Sequence, residues 1–68
     1  MKYNKSNMDI KELFAKRLKQ ARLKAGLSMD GLSVKTGKEV SKQTISKYEA
    51  GKTMAGSSIL IKLSKALG

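Results

Sequence analysis

Glycine falls at positions 26, 37, 51 and 68, each just after a short run whose apolar residues recur every three or four positions and whose start carries Asp or Ser. Stops placed this way cut a chain into short capped helices, and no segment shows the two-residue alternation of a strand. Helices of this length are marginal alone, so they must bury their apolar faces on one another. The spacing therefore predicts an all-α chain, a compact bundle of four or five short helices.

Asp9 and Glu12 have the spacing of a capping box, flanked by Met8 and Leu13 as a hydrophobic staple. Ile10, Leu13, Phe14, Leu18, Ala21 and Ala25 then form the apolar stripe of a first helix that Gly26 ends. Ser28 caps a second helix over about 29–36, with Leu32 inward and Gly37 as its stop. Ser41 caps a third over about 41–50. Val40 and Ile45 staple its start, Ile45, Tyr48 and Glu49 face inward, and Gly51 closes it. Ser57 is placed to cap a fourth helix with Leu60, Leu63 and Leu67 on one face, widened by Ile59 and Ile61. Residues 1–8 read as a polar, flexible leader, which leaves 9–68 as the folded domain.

Composition narrows the function. A chain of 68 residues has no material for a large enclosed substrate cavity. It contains neither Cys nor His, so disulfides and the usual zinc ligand sets are excluded, and so are the imidazole and thiol groups on which most acid–base and nucleophilic mechanisms rely. The reading is of no enzyme, no cofactor and no metal. Fifteen Lys and Arg against five Asp and Glu give a net charge of +10, which calls for a polyanionic partner. No apolar run is long enough for a membrane span and the N-terminus lacks a signal-peptide core, so the chain reads as cytoplasmic.

The stretch RLKQARLKAGLSMDGLS, followed by VSKQTISKYEAGK and SSILIKLSKALG, resembles the helix-turn-helix domain of phage repressors of the lambda and Cro type, the XRE family. The resemblance covers roughly Leu13 to Gly68. Its most specific part is SKQTISKYEAGK, where a polar cap, Ile and a Tyr-Glu-x-Gly-Lys ending occur together at fixed offsets.

The resemblance implies a transcriptional regulator that binds double-stranded DNA sequence-specifically, with the third helix in the major groove and the second crossing the phosphate backbone. It assigns Lys42, Gln43, Thr44, Ser46 and Lys47 to base edges. Phosphate contacts are implied at Arg17, at the amides near Ser28 and Met29, at Lys38 and Ser41, and in the following loop at Lys52 and Thr53. Arg22 and Glu49 match positions where such domains carry a buried charged pair, which implies a bidentate salt bridge between the first and third helices.

The pattern also departs from the family. Met29 stands where relatives commonly carry a Gln that touches phosphate. The turn between the two central helices is two residues longer, through Gly37, Lys38, Glu39, Val40 and Ser41. The Pro often found before the fourth helix is replaced around Ala55 and Gly56, and the chain ends where many relatives have a fifth helix. The expectation is a monomer in isolation, pairing on DNA or through further sequence. The C-terminal stretch also resembles the helix-turn-helix segment of regulators fused to a zinc peptidase domain, which implies a DNA-binding fragment of a larger repressor-cleaving peptidase.

Other functions fit less well. A basic amphipathic first helix could lie on an anionic membrane, but capped, glycine-stopped helices indicate a closed bundle. A protein-interaction or antitoxin-like module remains an alternative. Single-stranded or RNA binding lacks a stacking platform, because Tyr3, Phe14 and Tyr48 are the only aromatic residues.

Overall fold

A computed structural model describes residues 9–68. The leader at 1–8, and with it Met8 as a staple partner, lies outside the described residues. Four helices follow in order, α1 (Ile10–Lys24), α2 (Met29–Lys35), α3 (Lys42–Glu49) and α4 (Ser57–Leu67), and the described residues contain no strand. The all-α architecture read from the caps and stops is the one adopted.

Three of the four helices begin on side-chain caps. The Asp9 carboxylate accepts the Glu12 N–H at 2.9 Å, and Glu12 returns a carboxylate oxygen to the Asp9 N–H at 3.3 Å. Ser28 Oγ accepts the Gly31 N–H at 2.9 Å, and Ser41 Oγ accepts the Thr44 N–H at 3.1 Å. Each such cap stabilises its helix by about 1 kcal/mol. α4 differs from expectation: its cap is Gly56, with no side-chain bond, and Ser57 is the first helical residue. Buried Ala55 anchors the chain just ahead of that point, so packing rather than a hydroxyl sets where α4 starts.

α1, α2 and α3 end on the same paired hydrogen bonds. The Gly26 N–H donates to the Leu23 carbonyl and the Leu27 N–H to the Arg22 carbonyl, both at 3.0 Å, with the same pattern at Gly37–Lys38 and at Gly51–Lys52. After α2 the left-handed backbone continues for a second residue: Gly37 has φ 72° and Lys38 φ 65°. A side chain with Cβ costs about 1–2 kcal/mol there, whereas glycine costs about 0.4–1 kcal/mol in extra freedom of the unfolded chain. Lys38→Gly is therefore expected to raise the melting temperature by a few degrees, and a fall in a thermal melt would refute the strain.

α1 packs on α3, α3 on α2, and α2 on α4. Leu18, Leu32, Val40, Ile45, Tyr48, Ala55 and Leu63 form the core, with Leu32 and Ile45 fully buried. Phe14 meets Tyr48 edge-on at 5.5 Å between ring centroids, joining α1 to α3.

Two apolar stripes differ from the expected ones. In α1 the buried face is Ala15, Leu18 and Arg22, with Phe14 and Ala21 at its margin, while Ile10 is 73% exposed and Leu13, Leu23 and Ala25 face solvent. Counting apolar residues alone centres the stripe too far round, because it leaves out the arginine that this face buries. In α4, Leu63 is buried with Ile59, Ala66 and Leu67 beside it, whereas Leu60 and Ile61 are exposed. Ile59 and Ile61 lie about 200° apart around a helix, so one face cannot take both.

Candidate nucleic-acid interface

The firmest polar arrangement in the domain ties α1 to α3. Arg22 Nε donates to Glu49 Oε2 at 2.7 Å and Nη2 donates to Oε1 at 2.9 Å, so two parallel N–H groups meet two carboxylate oxygens. Nη1 donates to the Leu27 carbonyl at 2.9 Å, which fastens the loop after α1 to the same guanidinium. The side chains are only 8% and 4% exposed. The hydrogen bond to Glu49 raises the Arg22 pKa above its already strongly basic value, against the opposing effect of burial. This pair fixes the rotation of α3 about its own axis: Glu49 joins Ile45 and Tyr48 on the inward side, and Lys42, Gln43, Ser46 and Lys47 are left facing solvent.

Thr44 sits apart from those four. It is half-buried, and its Oγ1 accepts the Ser41 hydroxyl at 3.0 Å, so both side chains are engaged in starting α3. Ser28 uses its hydroxyl oxygen as an acceptor in the α2 cap, which leaves its proton available to donate. Met29 is half-buried and packs against the core, so it offers a ligand no polar group beyond its main chain. Lys38 and Lys52 are exposed at the two ends of α3, and Thr53 is half-buried. Arg17 is exposed on α1, turned away from the stripe that packs on α3.

Six residues, from Thr36 to Ser41, separate α2 from α3. Thr36 holds this turn together: its Oγ1 donates to the Ser33 carbonyl at 2.7 Å and accepts the Val40 N–H at 3.2 Å. That bond delivers Val40 to the core immediately before the α3 cap. Glu39, in the same turn, pairs with Lys62 of α4. Asp30, in the first turn of α2, lies 3.6 Å from Lys42 in the first turn of α3, so the N-terminal ends of the two helices meet. None of Thr36, Glu39 and Asp30 stands out in the sequence. The only available signal is an acidic residue in a first helical turn, which is common for reasons of helix dipole alone.

The fold thus defines a helix-turn-helix unit: two short helices packed through Leu32, Val40 and Ile45, one of which keeps a polar face open to solvent. A family model described as helix-turn-helix matches residues 18–68. The chain belongs to this family, the DNA-binding domains of lambda repressor and Cro type. No curated protein and no solved structure gives a significant match. Among the described residues no helix is long and apolar enough to cross a membrane.

Proposed function

We propose that the chain is a transcriptional regulator that binds double-stranded DNA sequence-specifically, with α3 in the major groove. The observation that carries this reading is the division of α3: Ile45, Tyr48 and Glu49 are committed to the interior, and every residue of the opposite stripe is an exposed hydrogen-bonding side chain. Gln43 has the amide geometry to bond bidentately to adenine, and Lys42 and Lys47 can donate to guanine O6 and N7. Ser46 is short enough to sit against a base edge or a thymine methyl, with Thr44 a lesser contributor because its side chain is half-buried beside the α3 cap. Phosphates are met by Ser28 and the Met29 amide ahead of α2, by Lys38 and the Ser41 main chain in the turn, by Lys52 and Thr53 after α3, and by Arg17. The domain acts as a monomer alone and pairs on operators whose half-sites lie about one DNA turn apart.

Selection from a randomised duplex pool, with affinities read by fluorescence anisotropy at two salt concentrations, tests these roles. Gln43→Ala is expected to blur the selected motif at one position and to leave the salt slope unchanged. Lys52→Ala is expected to weaken all sequences alike and to reduce that slope by roughly one. The opposite pattern would exchange the roles of the two residues, and no enrichment with the parent chain would remove base readout altogether.

A further inference from the structure

The contact between Asp30 and Lys42 contributes little to holding the fold. Both side chains are largely exposed, 73% and 55%, and an ion pair so open to water adds little to stability. Its position is also unfavourable for binding a polyanion, since it places a carboxylate beside the polar stripe of α3. A feature that costs affinity and adds little stability calls for another consequence.

That consequence follows from the nature of lysine. An ammonium on a flexible four-carbon stem is a point charge with rotatable donors. Left free at the start of α3, it would settle on the nearest phosphate, where it carries no sequence information. A carboxylate in the first turn of α2, by contrast, lies 3.6 Å from the ammonium and draws it toward α2 by charge, without a hydrogen bond. When α3 enters a groove, water leaves and the attraction between the two charges strengthens. The same carboxylate repels any phosphate that approaches Lys42.

We infer that Asp30 is a specificity-determining positioning residue: it keeps Lys42 on base edges and off the backbone, at the expense of overall affinity. The inference rests on the reading of α3 as the helix that contacts DNA.

The test compares the full chain with Asp30→Asn, Lys42→Ala and the double variant, using motif selection from randomised duplexes and affinity for a random-sequence duplex. Glu12→Gln serves as a control, because it makes the same charge change while an amide at that position preserves the capping box. Asp30→Asn is expected to bind random duplex several-fold more tightly and to flatten discrimination at one base step by roughly tenfold. It should change no preference in the Lys42→Ala background, and Glu12→Gln should alter affinity alone. A parent-like motif from Asp30→Asn would overturn the inference while leaving the reading of α3 intact. Equal flattening with Lys42 already removed would also overturn it, by making Asp30 a reader in its own right. A parent chain that selects no motif would bring down the reading of α3 itself, and that result is separate from the other two.

Discussion

Arg22→Ala lowers the melting temperature by roughly 12–40 °C, enough to leave much of the population unfolded at ordinary temperatures. The estimate combines about 3–5 kcal/mol for breaking a buried ion pair from one side with about 4–8 °C per kcal/mol for a domain of this size. The loss is large because three N–H groups depart together. Glu49 is left as a nearly buried, unpaired carboxylate, and the Leu27 carbonyl loses its partner at the point where the chain leaves α1. Replacing both partners at once, as Arg22→Met with Glu49→Leu, is expected to recover most of the loss, since the cost lies in the orphaned charge rather than in the missing attraction. A thermal melt of Arg22→Ala within a few degrees of the parent would refute this account. The pH dependence has a definite sign. A raised arginine pKa stabilises the fold fully below its unfolded value and is lost only as pH climbs through the folded one, so on the alkaline side this contribution persists until strong alkali.

DNA affinity is expected to collapse with salt. Five of the proposed contacts are cationic, namely Arg17, Lys38, Lys42, Lys47 and Lys52. At about −0.9 in the logarithmic slope per neutralised phosphate, the three assigned to the backbone, Arg17, Lys38 and Lys52, give a slope near −2.7, or about 40-fold weaker binding between 50 and 200 mM salt. Phosphate contact by Lys42 and Lys47 as well would steepen the slope to about −4.5 and take those two lysines off the base edges. An anisotropy titration over that range therefore also divides the lysines between the two tasks. A slope near zero would exclude phosphate contact as the source of affinity and would leave the +10 charge without its proposed partner.

The helices were legible from the sequence because their boundaries are local. A hydroxyl or carboxylate at the cap and a glycine beyond the last turn act within a few residues, so Asp9, Ser28 and Ser41 open helices as read. The start of α4 escaped the same reasoning because Gly56 caps it without a side chain, and its position follows from burying Ala55. The rotation of α1 was hidden for a different reason. A polar residue on an inward face looks like an interruption until its partner, here 27 positions away, is brought alongside. Periodicity cannot supply that partner, and only the family resemblance pointed to Glu49. The Asp30–Lys42 contact crosses the six residues between α2 and α3, so local spacing did not locate it. Thr36 was missed because its two bonds serve the path of the backbone rather than any helix face.

If α3 reads DNA as proposed, its division bears on how a lineage carrying this domain changes its target. Ile45 and Tyr48 cannot vary without repacking the core, and Glu49 cannot vary without a matching change at Arg22, so these residues hold the frame constant. Lys42, Gln43, Ser46 and Lys47 touch nothing the core needs apart from the reach of Lys42 to Asp30. Substitutions there are close to neutral for folding. On the proposed reading, new target preferences therefore accumulate one side chain at a time, with no intermediate that must first survive a loss of stability.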